Sequence, residues 1–389
     1  MRLRPAHLPT ALAAALVFGA LPTAATAAAP VPAAQAVRAT TTSSASSASA
    51  TLEVLRRIAP LDLAARAERL LAARGVHLTD TTSFNALDPA DYQCGPTAFT
   101  NWADKTLDFT DDEAAILDLA GAGFMPVMES ILFGDVEGTD SYGVRGQYTK
   151  QITQAWKKLR VFWDEDSTEV EVTPMHGQIM ADSQRLARVY VALGMPHAEA
   201  AELAGTLASY FDTPRFDHGD HPYFTLNAFA TRGGDRGDQI IMGDGFLQMF
   251  GDLGMGAVAP QVILAHENIH QLQFDLGVFD EVVFADPAEA TRRTELQADA
   301  GAAYSVSHPR GLSMQWNRVR HVLPVFHTIG DCSFENASHH GTPNQRLAAG
   351  DFGYRVQENA RPRGHVIPGA TFLARVDAQL PVLVAPDAR

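Results

Sequence analysis

The stretch VILAHENIHQLQF, residues 262–274, carries the pattern on which the interpretation of this chain depends. His266, Glu267 and His270 have the spacing HExxH, and the apolar residues around them predict a buried helix. Because residues four apart share one helix face, the two histidines can direct their imidazoles at one point. Glu267 lies beside that point, where a carboxylate can take a proton from metal-bound water. The stretch therefore predicts a metal-binding helix.

Chance and simple core packing are the alternatives to a metal site. Random placement of residues gives about 0.02 HExxH matches in a chain of this length and composition. Histidines that only pack in a core would leave two imidazoles and a carboxylate buried without partners, which is unfavourable. A metal ion supplies that partner, and zinc held by three protein ligands leaves a fourth position for water. We therefore predict Zn²⁺ as the cofactor.

A second stretch, RRTELQADAGAAY at 292–304, contains the predicted third ligand. The extended signature HExxHxxGxxH is absent, because Gln273 and Leu276 occupy the positions of its glycine and third histidine. Glu295 and Asp299 are four apart on one face of a predicted helix. Glu295 is the candidate ligand, and Asp299 is placed to accept a hydrogen bond from a ligand histidine and fix its tautomer. A solvated face, with Glu295 paired to neighbouring arginines, is the alternative.

Four sequence blocks, taken in order, resemble a known family. Gluzincin-type zinc metallopeptidases, in particular CAAX prenyl endopeptidases and bacterial neutral zinc metallopeptidases, have similar blocks. The resemblance implies an α+β, zincin-like fold that is mainly helical, with a small sheet and an HExxH active-site helix. The blocks are LNAFATRGG and QIIMGDGFLQMF within 226–250, AHENIH at 265–270, ELQAD at 295–299 and HHGTPNQR at 339–346.

The resemblance also implies roles outside the two helices. PYFTLNAFA, residues 222–230, would be the edge strand beside which an extended peptide substrate lies, at Asn227, Ala228 and Phe229. His340 would lie near the metal and stabilise the developing oxyanion. A structural histidine before a following helix is the alternative for His340.

The chain also departs from this family. CAAX enzymes cross the membrane several times, and no such segment is evident here, so a prenylated substrate is not implied. The turn at 235–238, DRGD, is an addition, and residues 52–175 match no known pattern. His218 and His221 could form a second metal site, although loop histidines are the favoured interpretation.

The first 27 residues have the features of a secretory signal peptide. Arg2 and Arg4 precede an apolar stretch at 11–21, and small residues end at a plausible cleavage point after Ala27. The apolar stretch is short for a membrane span, so an uncleaved anchor is the alternative. Cleavage would change the formal net charge from −15 to −17, which disfavours nucleic acid and anionic membranes as partners. We expect a secreted monomer that leaves the membrane after cleavage.

The remaining chain divides by composition. Residues 28–51, rich in Ala, Ser and Thr, are predicted to be a disordered linker. Residues 52–175 are predicted to be a mostly helical region that packs on the core, and residues 176–389 the zincin-like domain. Predicted helices cover 52–74 with an interruption at Pro60, 111–121, 179–193 and 197–211. A helix running into a strand is predicted at 147–163, and strands at 168–173 (exposed), 222–230 and 239–242.

Cys94 and Cys332 are the two cysteines of the chain. In an exported protein they predict one long-range disulfide, with free thiols as the alternative. The context DYQCGPT at 91–97 allows another alternative, a thiol peptidase with Cys94 as nucleophile.

The leading functional prediction is a secreted zinc-dependent endopeptidase that acts on peptides or proteins through metal-activated water. A catalytically silent zincin-fold binding protein is the alternative. The presence of Glu267 favours the enzyme, because a purely structural site needs no carboxylate beside an open position.

Overall fold

The computed structural model describes residues 41–58, 63–78, 89–134, 141–165, 167–279, 287–332, 340–360 and 362–387. The predicted signal peptide lies outside the described residues. Helices account for most of the described chain. They are α1 Thr41–Ile58, α2 Leu63–Ala73, α3 Ala98–Thr106, α4 Asp111–Leu119, α5 Met125–Phe133, α6 Thr149–Leu159, α7 Ser183–Ala192, α8 His197–Phe211, α9 Asp244–Asp252, α10 Ala259–Asp275, α11 Pro287–Ser307, α12 Trp316–Ile329, α13 Pro343–Glu358 and α14 Gly369–Leu383.

One four-stranded mixed sheet accompanies the helices. Its strands are β1 Val76–Leu78, β2 Glu171–Met175, β3 Ala228–Gly233 and β4 Gln239–Gly243, in the order β1-β3-β4-β2. β3 pairs antiparallel with β1 and β4, whereas β2 and β4 are parallel. The prediction of a mainly helical α+β chain with a small sheet is confirmed.

The sheet corrects the expectation that 222–230 is an edge strand. Residues 222–225 form a 3₁₀ turn, Asn227 precedes the strand, and β3 lies between β1 and β4. β1 pairs with the far end of β3, at Thr231 to Gly233. β3 is not an edge strand because β1, from the N-terminal region, pairs with it. β1 was not predicted, because its three residues have no distinctive sequence pattern.

Three other sequence expectations differ from the structure. The predicted linker 28–51 is helical from Thr41 onward, because Ala48 and Thr51 are buried where α1 packs against α4 and α8. The predicted exposed strand 168–173 is instead β2, whose last three residues are buried beside β4 and α5. The strand predicted at the end of 147–163 is not formed: residues 160–163 are turn and bend, and the side chains of Phe162 and Trp163 lie in a buried aromatic cluster.

α10 lies at the centre of the molecule and determines where the candidate site forms. It packs against α6, α11, β3 and β4. Gln271 Nε2 donates to the backbone oxygens of Thr231 and Gln239, at 3.0 Å and 2.8 Å. One buried amide therefore joins the helix to two neighbouring strands.

The predicted disulfide between Cys94 and Cys332 is present. It connects the segment before α3 to the segment after α12. Among the described helices, none is both long enough and apolar enough to span a bilayer.

Candidate metal centre

Three side chains from two packed helices converge at the centre of the molecule. His266 and His270 are contributed by α10 and Glu295 by α11, and all three are buried. The two histidine Nε2 atoms are 3.1 Å apart. Glu295 Oε2 lies 3.4 Å from His266 Nε2, and Glu295 Oε1 lies 3.4 Å from His270 Nε2. This buried His–His–Glu group could bind a metal ion.

Close helix packing makes this convergence possible. A Cβ added at Gly301 of α11 would lie 2.6 Å from the Ile269 side chain of α10. A Cβ added at Gly353 of α13 would lie 1.9 Å from the backbone oxygen of Ala300. Both glycines therefore permit approaches that any larger residue would prevent, and they bring α10, α11 and α13 together around the site.

Asp299 connects the metal-site histidine to a buried arginine. His266 Nδ1 lies 2.9 Å from Asp299 Oδ1, although the ring N–H is poorly aligned with that oxygen. Arg346 of α13 donates from Nε and Nη2 to the two Asp299 oxygens, both at 2.8 Å. Arg346 Nη2 also lies 3.5 Å from Glu295 Oε2. The predicted position of Asp299 beside a histidine of the group is therefore observed, and Arg346 holds the carboxylate there.

A capping box positions Arg346. Thr342 precedes α13, and its side chain accepts from the backbone N–H of Gln345, whose side chain accepts from the backbone N–H of Thr342. Pro343 follows at the first helical position. These contacts fix where α13 begins, and Arg346 then points from its first turn into the protein interior.

Glu267 is buried beside the group and its Oε2 has no hydrogen-bond partner. Burial raises the pKa of Glu267 above its ordinary value, although the neighbouring His266 and His270 partly oppose this effect. A buried carboxylate oxygen without a partner is rare in folded proteins, since its desolvation is not compensated. The arrangement is suited to a ligand or water that completes the site.

The ionisation of the group follows from its burial and its charges. Burial disfavours the charged form of His266, but Asp299 and Glu295 outweigh this effect and raise its pKa to about 10. Burial likewise disfavours the carboxylate of Glu295. The nearby charge of His340 and hydrogen bonds from the two histidines nevertheless hold the pKa of Glu295 well below its ordinary value. These shifts favour a positively charged His266 beside an ionised Glu295, an arrangement in which a cation could take the place of the proton.

His340 lies in the segment before α13 and is half-buried. Its backbone N–H donates to Asp331 Oδ2 at 3.0 Å, and its Nδ1 lies 3.7 Å from the same oxygen. Burial lowers the pKa of His340, but Glu295 and Asp331 raise it more. His340 is thus close enough to the group to interact with it electrostatically. Asp331 is a contributor that the sequence did not indicate.

The other residues singled out in the sequence lie elsewhere. Asn227 precedes β3, and Ala228 and Phe229 begin the strand and pair with β4. His218 is exposed and pairs with Asp212, whereas His221 is buried and accepts from the backbone N–H of Tyr223. These two histidines have separate partners, and they form no metal-binding group among the described residues.

Cys94 is bonded to Cys332, so the structure holds no free thiol at either cysteine. The thiol-peptidase alternative requires a free Cys94 and is not supported.

No family model, curated protein or solved structure matches this chain.

Proposed function

We propose that this protein is a secreted zinc-dependent endopeptidase with a zincin-like fold. The observation that carries the proposal is the buried His266–His270–Glu295 group with Glu267 beside it, one of whose carboxylate oxygens has no hydrogen-bond partner. The HExxH and ELQAD blocks support it from the sequence, through their resemblance to gluzincin-type peptidases.

Zinc fits the donor set. Two imidazole nitrogens and one carboxylate are ligands that zinc accepts in catalytic sites with an open fourth position. The ligand atoms lie within 4.8 Å of one another. Zinc, when bound, would polarise a water molecule and the carbonyl of the scissile bond.

The protein's own residues would then act as follows. The Glu267 carboxylate takes a proton from the attacking water and delivers it to the nitrogen of the leaving amine. Its raised pKa assists the first transfer, since a more basic carboxylate accepts a proton more readily. His340, when protonated, donates a hydrogen bond to the oxyanion that forms at the carbonyl.

A catalytically silent metal-binding protein is the second candidate. The observation that favours it is burial, because His266, Glu267, His270 and Glu295 are each less than a tenth exposed. A catalytic site must admit a peptide carbonyl, whereas a structural metal site needs no such access.

Metal analysis and a cleavage assay on the same sample distinguish the two candidates. We expect about one zinc per mature chain and cleavage of a peptide library that a chelator abolishes and added zinc restores. Stoichiometric zinc without any cleavage would favour the silent protein. A preparation that binds no zinc after exposure to it would refute both.

Secretion is tested separately. Expression of the full chain in an exporting host, followed by N-terminal sequencing of the released protein, should give a start near residue 28. A chain retained with its first residues intact would contradict cleavage.

A further inference from the structure

Gln273 occupies the position at which the related extended signature would have glycine, and it contacts a candidate metal ligand. It is completely buried, and its Oε1 lies 2.7 Å from His270 Nδ1. A glutamine side chain can present either its oxygen or its NH₂ group to a neighbour. Which of the two faces His270 determines which nitrogen of the imidazole carries the proton.

A backbone carbonyl fixes the orientation of Gln273. Its other terminal atom lies 2.9 Å from the backbone oxygen of Thr294. Since a carbonyl oxygen can only accept, that atom must be the NH₂ nitrogen. The amide oxygen of Gln273 therefore faces His270.

A second, independent chain of hydrogen bonds requires the same orientation. Arg293 donates from two nitrogens to Asp377 of α14, both at 2.9 Å, which holds that carboxylate as an acceptor. Gln297 Nε2 donates to Asp377 Oδ1 at 2.7 Å, so its oxygen faces the other way. That oxygen accepts from Gln273 Nε2 at 2.9 Å. Two unrelated acceptors thus fix one orientation.

We propose that Gln273 is a positioning residue that keeps the proton of neutral His270 on Nδ1 and leaves the Nε2 lone pair free for a metal ion. The Gln273 oxygen can only accept, so His270 Nδ1 must donate. Nε2 is the atom that faces His266 and Glu295. The inference rests on the proposed metal site, but it concerns the imidazole itself and does not require the peptidase reaction.

Gln271 offers a matched control. It is an equally buried glutamine in the same helix, and its amide donates to strand backbone oxygens instead of a histidine. Gln271→Leu and Gln273→Leu each remove one buried amide from α10. Both variants lose packing and hydrogen bonds in general, but only Gln273→Leu removes a contact with His270.

The experiment is NMR of the mature chain labelled with ¹⁵N-histidine, without metal and with zinc alone. We expect the wild-type protein to show a His270 Nδ1–H signal that is protected from exchange and that persists when zinc is added. The signal is assigned by its absence in His270→Gln. Gln273→Leu should lose that protection and bind zinc about 10- to 100-fold more weakly in chelator competition. Gln271→Leu should keep the signal and the zinc affinity.

Gln273→Glu is the conservative variant, because it retains an acceptor toward His270, and it should keep the Nδ1–H signal. A wild-type His270 that carries its proton only on Nε2, or binds zinc through Nδ1, would overturn the proposal. Wild-type zinc affinity in a folded Gln273→Leu would also overturn it. A protein that holds zinc with this tautomer but cleaves no peptide would refute only the proposed function.

Discussion

At the scale of single residues, Glu267 has one buried carboxylate oxygen, Oε2, without a hydrogen-bond partner beside the two candidate ligand histidines. The surrounding ionisable groups are paired: His266 with Asp299, and Asp299 with Arg346. A protein that needed Glu267 only for stability would gain by replacing it with an apolar residue, because unpaired polar burial is unfavourable. Glu267 is therefore the residue whose replacement best separates catalysis from folding.

Glu267→Gln should retain zinc and fold but lose peptidase activity by about 10²-fold or more if Glu267 is the general base. The amide keeps the size of the side chain but cannot take a proton from water. Zinc content, circular dichroism and the peptide assay measured on one preparation check this expectation. Activity close to wild type would show that the proton acceptor is another group.

A second residue-scale prediction separates Glu295 from Asp299. Asp299→Asn should weaken zinc binding about 10- to 100-fold, because the carboxylate orients His266 without contributing a ligand. Glu295→Gln replaces a ligand carboxylate and should weaken zinc binding more. Chelator competition gives both affinities. The reverse order would make Asp299 the ligand and remove the basis of the gluzincin resemblance.

At the scale of elements, α13 reaches the site through Arg346, whose guanidinium is buried against a fully buried Asp299. The same helix carries an exposed pair, Arg355 with Asp351. Removal of one partner from a buried pair leaves an uncompensated charge, whereas an exposed pair contributes little because water screens it. The two pairs on one helix therefore allow a direct comparison.

Arg346→Met should lower the free energy of unfolding by about 3–5 kcal/mol, since Asp299 would remain buried without its guanidinium partner. Arg355→Met, the control, should change it by less than about 1 kcal/mol. Urea denaturation of both variants at the same pH provides the comparison. Equal effects would mean that the Arg346–Asp299 pair is not what holds α13 to α11.

The start of α4 gives a prediction about pH. Glu113 closes a capping box with Thr110 and also pairs with Arg215 in the 3₁₀ turn after α8. Burial alone would raise the pKa of Glu113, but the Arg215 and Thr110 contacts outweigh it and lower the pKa below 4.5. Since the folded state favours the carboxylate, this contribution to stability is present above pH 4.5 and is lost as the pH falls below that value.

Glu113→Gln should therefore reduce stability at neutral pH and flatten its decline below pH 4.5, where wild-type Glu113 also becomes protonated. Thermal unfolding between neutral and acidic pH, compared for the two proteins, tests this. Parallel pH profiles with a constant offset would contradict the assigned linkage.

At the scale of the whole molecule, strand pairing and a disulfide join segments that lie far apart in the sequence. β1 and β2, from residues before 176, flank β3 and β4 in one sheet. The disulfide connects cysteines 238 positions apart. Cys332 is adjacent to Asp331, which contacts His340, so the disulfide lies next to a residue of the candidate site.

Replacement of both cysteines by serine should cost about 2–4 kcal/mol, because the disulfide restricts the unfolded chain over a long loop. Urea denaturation of the variant and of the oxidised wild type gives the difference. Thiol titration of the exported wild-type protein is the accompanying check. Two titratable thiols in the native protein, or equal stability of the two forms, would contradict this prediction.

Several features were predictable because they depend on spacing within one helix. The i, i+4 relation of His266 and His270, and that of Glu295 and Asp299, fixes which side chains share a face regardless of the rest of the fold. α8 spans the predicted 197–211, and α10 contains the predicted helical stretch 262–274, since the apolar periodicity of these helices is local.

Tertiary structure alone decided the contacts that complete the site. Arg346 reaches Asp299, and Gln273 reaches Gln297, because α10, α11 and α13 pack face to face. β1 displaces β3 from the edge of the sheet through pairing between residues more than 150 positions apart. Such contacts depend on how elements pack after they form, and the hydrophobic pattern of one segment does not specify which distant segment covers it.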